Sequence, residues 1–288
     1  MTQLDRRLSE FVDRSTEMRR FSEILEKRSK PVIFVHGASG VGKSSLLARM
    51  IHECSLRGIA KTEIVWTETR NPDHLNIMRT VRDSLGAQHF SGFTALVNGY
   101  YDERVKFDLT VNTSGTINVA SGASFVNATT GDIAGVMVRD CMFVVPRRDL
   151  GVSENERMLR LTQQFLEDLA GFTEGSPTVM FFDAVEKMTE ETKKWMWGEF
   201  MNVFRDGRAS NVVCVFLGQT APELDRETRR VVEETALGPL QLDDIEEYLR
   251  KRNVACQAPR ELARMILVQT KGHPYEVAYN VDLFEEMR

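Results

Sequence analysis

Residues 37–44 read GASGVGKS and follow, after His36, on the apolar run Val32-Ile33-Phe34-Val35. This pattern restricts the fold more than any other stretch of the chain, because it requires a strand that ends in a glycine-rich turn and opens at once into a helix. In such a turn glycine permits positive φ angles, expected here at Gly37 and Gly42, so that successive backbone N–H groups converge on one anion. Gly37, Ala38, Ser39, Gly40, Val41, Gly42, Lys43, Ser44 and Ser45 are therefore the candidate phosphate-binding residues. Lys43 is placed to reach the β- and γ-phosphates and Ser44 to offer its hydroxyl to Mg²⁺, with the positive end of the following helix aimed at the same charge. Residues 45–51, SLLARMI, contain neither Pro nor Gly and read as that helix.

The rest of the chain alternates strand and helix. Residues 62–67 and 178–183, 211–217 and 234–240 are strand candidates, and helices are expected over 72–85, 154–169 and 190–204. Continuous apolar strands separated by helices predict an α/β fold, a parallel sheet covered on both faces. From Leu242 onward only helices are expected. Asp243 and Glu246 read as a capping box, Pro259 suits a first helical turn, and Gly272-His273-Pro274 separates two further helices. These signals divide the chain into a lead-in and helix (1–30), a first part of the nucleotide core (31–104), an insertion (105–148), a second part of the core (149–240) and a helical lid (241–288).

The insertion has its own character. From Leu109 an eight-residue beat restarts at Ile117, Phe125, Ile133 and Cys141, with Gly115, Gly122 and Gly131 marking turns, and no Lys or Arg falls between Phe107 and Val138. We read a meander of short strands. Two roles are open for it: a solvent-exposed excursion, or a surface for self-association, since β-prone edges without lysine gatekeepers invite pairing with another chain.

A carboxylate is needed opposite the loop. Asp183 ends an apolar strand and is the expected metal-side residue, acting on Mg²⁺ through water. Ala184 follows it, and Glu186 comes three positions on. Glu186 is open to two readings, as the base that activates water or as a surface glutamate at a helix start.

Composition excludes several classes. The net charge is −5, from 37 basic and 42 acidic residues, and no lysine- or arginine-rich block is present that would track a nucleic-acid backbone. The four cysteines show no paired metal-ligand spacing, and no apolar run approaches the roughly 20 residues of a membrane helix, so a reduced, cytoplasmic protein is expected.

Taken together, Phe11-Val12-Asp13-Arg14-Ser15-Thr16-Glu17, GASGVGKSS, FFDAVE, LGPLQLDDIEEYL and GHPYEVA resemble the STAND branch of AAA+ ATPases, which includes NACHT, NB-ARC and bacterial antiviral sensor ATPases. The resemblance covers most of the chain outside the insertion. It implies ATP and ADP with Mg²⁺ as ligands, the segment of Val12 and Arg14 against the adenine, and contact of His273 or Pro274 with nucleotide in a closed state. Asp13 stands where the family pattern has glycine. Gln219 and Thr220 fall where a polar sensor of the γ-phosphate is expected. Arg229 and Arg230 sit where AAA+ proteins carry an arginine that reaches a neighbour's nucleotide, although an exposed basic pair on a helix is the alternative. The implied function is a nucleotide-operated switch that forms homo-oligomers or engages partner proteins in defence or signalling, with a slow or regulated ATPase. A motor-like ATPase acting on DNA or protein and a non-hydrolysing nucleotide-bound scaffold are the other readings.

Overall fold

The computed structural model describes residues 12, 14–27, 30–67, 71–102, 145–146, 152–174 and 177–286. They fall into two compact units, residues 1–85 with 172–288, and residues 86–171.

The first unit is built on a five-stranded parallel sheet. Its strands are β1 (Val32–His36), β2 (Ala60–Val65), β5 (Thr178–Asp183), β6 (Val212–Gly218) and β7 (Val232–Ala236), in the spatial order β2-β5-β6-β1-β7. β1 lies between β6 and β7, with Val35 opposite Leu217 and Thr235. Every residue of β6 is buried, which is why its sequence VVCVFLG has no alternation. The edge strand β7 instead carries Glu233 and Glu234, and charge on an edge discourages pairing with another chain. It spans residues 232–236 where the sequence suggested 234–240. Gly238-Pro239 stops the ladder, after Leu237 has donated its N–H to the His36 carbonyl at 2.8 Å.

On one face of the sheet Ile33, Val35, Phe181, Val215 and Leu217 pack against Phe21 and Leu25 of α1 (Ser15–Lys27) and Leu46 and Met50 of α2 (Lys43–Leu56). The opposite face is aromatic. Phe182 stacks on Phe216 at 4.6 Å between centroids, and Trp197 covers Phe216 at 5.0 Å. Trp197 belongs to a π-helical turn, Met196–Phe200, between α6 (Glu190–Trp195) and α7 (Met201–Arg205). A single helix was expected over 190–204. The π turn inserts a residue into the helical repeat, so that Trp195, Met196 and Phe200 are all buried while Trp197 also reaches the sheet. α3 (His74–Leu85) follows β2, and a short α8 (Arg226–Val231) precedes β7.

The unit ends in three helices, α9 (Leu242–Lys251), α10 (Pro259–Thr270) and α11 (Pro274–Glu286), which share a small core of Leu240, Ile245, Leu249, Ile266, Val277 and Val281. The capping box of α9 is shifted from its expected place. Gln241 is the N-cap and donates its N–H to Asp244 at 2.6 Å, because the chain is still extended at Gln241 and the helix has begun by Asp243.

The second unit holds α4 (Ser91–Tyr100), which the sequence reading missed, and most of α5 (Glu154–Thr173). Phe90 and Phe93 pack on Phe165 at 5.6 and 5.5 Å, and Asp168 accepts from the Phe93 N–H at 2.8 Å. A two-residue antiparallel ladder pairs β3 (Tyr101–Asp102) with β4 (Val145–Pro146). The sequence between them, and with it almost all of the expected 105–148 meander, lies outside the described residues. Among the described residues no helix is long and apolar enough to cross a membrane, Cys54 and Cys214 are buried free thiols, and Cys256 is half-buried.

Candidate nucleotide site

Where β1 ends, the chain takes the turn that the glycine pattern demands. Gly37 donates its N–H to the Gly218 carbonyl at 3.3 Å, and Gly42, at φ 96°, caps α2 in the left-handed region. The two positive φ angles are at Gly40 (76°) and Gly42, not at Gly37 as the sequence reading had it. Gly37 is required for space instead, since a Cβ there would lie 2.9 Å from Val41 Cγ1 and 3.0 Å from the Leu237 carbonyl oxygen. The loop borders a cavity of about 630 Å³ in the first unit.

Of the residues singled out from sequence, Ser39 through Ser45, Asp183, Glu186, Gln219, Val12, Arg14 and Pro274 line this cavity. Gly37 and Ala38 lie behind it, offering their carbonyls to Lys43 Nζ at 2.7 and 3.0 Å. Burial lowers the Lys43 pKa, opposed by the charges of Glu186 and Asp183. Burial likewise pushes the Asp183 carboxyl up, against a hydrogen bond from the Ala184 N–H at 2.9 Å that pulls it down; Glu186 raises it further and Lys43 lowers it.

After Asp183 the chain leaves the strand abruptly. Ala184 sits at φ 60°, ψ 42°, left-handed backbone that costs a non-glycine residue about 1–2 kcal/mol. The distortion starts a 3₁₀ turn, Val185–Lys187, whose apolar residue Val185 is buried and whose Glu186 faces the cavity. Glu186 Oε1 accepts from Gln219 Nε2 at 3.1 Å, while Oε2 is buried without a partner. The carboxylate is thus held at one oxygen by an amide and buried without a partner at the other, on a residue that lines the cavity.

The lid reaches the loop directly. His273 Nε2 lies 2.9 Å from the Ser39 carbonyl oxygen, and its ring occupies the place of a Gly40 side chain, with Cε1 2.5 Å from where a Cβ would be. The Leu240 N–H donates to the Gly272 carbonyl at 2.8 Å, an approach so close that a Cβ on Gly272 would strike the Leu240 oxygen. Arg14, itself at φ 67° and buried, donates from Nη2 to the carbonyls of Val41 (3.2 Å) and Gly238 (2.8 Å). It thereby ties the loop to the linker that leads into the lid. Asp13 lies outside the described residues.

Thr220 is not among the cavity residues. Arg229 and Arg230 are exposed on α8, Arg230 paired with Glu227 at 2.7 Å, and neither lines the cavity. Ala184, Lys187, Leu240, Tyr248, Tyr275, Val277 and Ala278 complete the wall without having been anticipated there. Val277 and Ala278 fall at helical spacing after Pro274, a pattern indistinguishable in sequence from ordinary core packing.

A strand, a glycine-rich turn over a helix N-terminus, a lysine inside it and a carboxylate at the end of β5, separated from β1 by β6, define a P-loop nucleotide-binding α/β protein. The chain belongs to the AAA ATPase domain family, whose model matches residues 10–197. No well-characterised protein matches it in sequence. Among solved structures, Cdc6p from Pyrobaculum aerophilum is 13% identical over 96% of this chain and 62% of its own, with a TM-score of 0.51. A STAND protein with a tetratricopeptide repeat sensor from Pyrococcus horikoshii is 17% identical over 92% of this chain and 28% of its own, TM-score 0.47. AMPPCP-bound DnaA from Aquifex aeolicus is 15% identical over 96% and 64%, TM-score 0.48. The chain spans less than two thirds of each of these three proteins. The first likeness shows a shared fold. Together with the family, the site defines a nucleotide-binding ATPase of the AAA+ type.

Proposed function

We propose that this protein is a nucleotide-operated switch in which ATP closes the helical lid over the loop and the closed form associates with copies of itself or with partner proteins. The observation that carries this reading is the contact of His273 with the Ser39 carbonyl. The ring joins the lid to the phosphate-binding loop, next to Tyr275, whose Cβ lies 3.1 Å from where a Gly40 Cβ would be, so phosphates seated on that loop act on the lid. The STAND assignment, and with it a place in defence or signalling, rests on the sequence motifs around Arg14, Asp183 and Gly272.

Mg²⁺ fits this site. The Ser44 hydroxyl and the Asp183 carboxylate line the same cavity, and among the described residues no cluster of three ligating side chains forms a cage of its own. Hard oxygen donors in this low number suit an ion that keeps waters and nucleotide phosphates as its remaining ligands. When bound, the ion neutralises phosphate charge. The protein's own part is to seat the phosphates on the loop N–H groups, hold them with Lys43, and present the Glu186 carboxylate to the attacking water under the orientation imposed by Gln219. Slow or regulated turnover is part of this reading and rests on the STAND resemblance.

The test is particle size by light scattering with ATP, ADP and no nucleotide, for the wild type and Lys43→Ala. A size that responds to nucleotide only in the wild type is expected. A distribution indifferent to nucleotide in the wild type would sink the switch.

A further inference from the structure

The turn that carries Glu186 also carries Lys187 into the wall of the same cavity. Its orientation is fixed by its neighbours. Val185 and Met188 are 7% and 4% exposed and anchor the turn, Val185 lying against the Gly218 backbone, while the Lys187 N–H donates to the Ala184 carbonyl at 3.0 Å. With both apolar residues turned inward, the two charged ones between them face the cavity.

Three cationic side chains line this cavity: Arg14, Lys43 and Lys187. Arg14 is occupied by the carbonyls of Val41 and Gly238, and Lys43 by those of Gly37 and Ala38. The Lys187 ammonium has no hydrogen bond or ion pair among the described residues, and its charge is felt at Asp183. Its wall otherwise presents Asp183 and Glu186, two carboxylates that repel the end of a polyanion. Phosphoryl transfer spreads negative charge over the equatorial oxygens of the terminal phosphate, and catalysis there consists largely of placing cations against them. Arg229 and Arg230, exposed on α8 and outside the cavity, do not supply that charge within this chain.

We propose that Lys187 is the cationic contact for the terminal phosphate of a bound nucleoside triphosphate, supplied in cis beside the carboxylate that addresses the attacking water. The proposal rests on the nucleotide-site reading but not on assembly. The long lysine stem lets an exposed ammonium swing onto a phosphate once one is seated. Lys187 then distinguishes triphosphate from diphosphate, because only the former reaches its wall.

Equilibrium binding of AMPPCP and of ADP to the wild type, Lys187→Met and Lys187→Arg tests this, together with ATP turnover across a range of protein concentrations. Lys187→Met should weaken AMPPCP by about tenfold, leave ADP within about twofold and lower turnover by about 10- to 100-fold at every protein concentration, in proportion to the loss of one charge-stabilising donor. Lys187→Arg should restore most of the AMPPCP affinity. Unaltered AMPPCP binding by Lys187→Met, or an equal loss for both nucleotides, would overturn the proposal. A wild type that binds neither nucleotide would overturn the site reading beneath it, whereas nucleotide-independent particle size would touch only the switch.

Discussion

Gln219 holds Glu186 by one carboxylate oxygen, Nε2 to Oε1 at 3.1 Å, and leaves Oε2 buried and unpaired. Two side chains 33 positions apart in sequence are brought together because β5 and β6 are neighbours and both end at the cavity. If this carboxylate activates water, Glu186→Gln should reduce ATP turnover by about 10²–10⁴ while ATP still binds. Gln219→Ala removes orientation alone and should cost about tenfold. Single-turnover hydrolysis with a parallel binding measurement separates the two. Turnover at the wild-type rate in Glu186→Gln would return Glu186 to the status of a surface glutamate.

Arg14 shows a different kind of dependence, since its guanidinium satisfies carbonyls from two distant segments, Val41 in the loop and Gly238 before the lid. Arg14→Lys keeps the charge but not the fork, so it should lose much of this bridge. Each unsatisfied buried carbonyl costs about 1–3 kcal/mol, and we expect Arg14→Ala to lower both thermal stability and nucleotide affinity. Arg14→Lys should fall between it and the wild type. A melting curve with and without ATP reads both quantities, and an Arg14→Ala protein as stable and as tightly binding as the wild type would contradict the clamp.

Much of this site is legible in the sequence because its parts are local. The loop from Gly37 to Ser45 carries its strand, turn and helix within one stretch, and the strand that delivers Asp183 is an uninterrupted apolar run. Glu186 lies a fixed three residues beyond it. What escapes sequence reading is contact between segments far apart. His273 or Pro274 was expected to contact nucleotide in a closed state; the structure lays the His273 ring on the Ser39 carbonyl and Pro274 in the cavity wall, and nothing local to Ser39 or His273 encodes the 2.9 Å between them. Gly37 was assigned positive φ by its place in the motif, whereas the neighbour Leu237, two hundred positions away, makes it a matter of volume. α4 was missed because Gly92 and Gly99 depress helix propensity, and tertiary contact decides instead: Gly92 lies under Gln164, and Asp168 takes the Phe93 N–H.

Asp183 carries a pKa raised in the folded protein, chiefly by burial. For an acid with a raised folded pKa, the folded state binds more protons than the unfolded state between the two pKa values, so stability falls as pH rises through that window. Above it the carboxylate is a standing cost. Asp183→Asn should therefore melt at a higher temperature than the wild type near neutral pH, with the difference shrinking as pH falls from the raised folded pKa toward about 4, the ordinary value for Asp, and absent below it. The same variant should lose ATP turnover. Thermal melts across pH check the sign, and a gain that persists undiminished at low pH would point to some cause other than ionisation.

The lid contact makes the sharpest demand on a single position. Gly40 is at φ 76° with His273 Cε1 2.5 Å from the site of a Cβ, so Gly40→Ala both strains the backbone and drives the lid histidine off the loop. His273→Ala removes the contact and leaves the loop backbone free to keep its conformation. The pair separates the two effects. We expect His273→Ala to bind ATP within a few-fold of the wild type yet to lose the change in particle size on adding nucleotide, because the polar contact between the lid and the Ser39 carbonyl is gone. Gly40→Ala should lose affinity by about tenfold or more, since strain of about 1–2 kcal/mol falls on the N–H groups that cradle phosphate. Adding His273→Ala to Gly40→Ala should recover the part of that loss due to the clash and not the part due to φ, a non-additive outcome characteristic of residues in contact. Strict additivity of the two changes in ATP affinity would mean that the histidine and the loop do not act on one another.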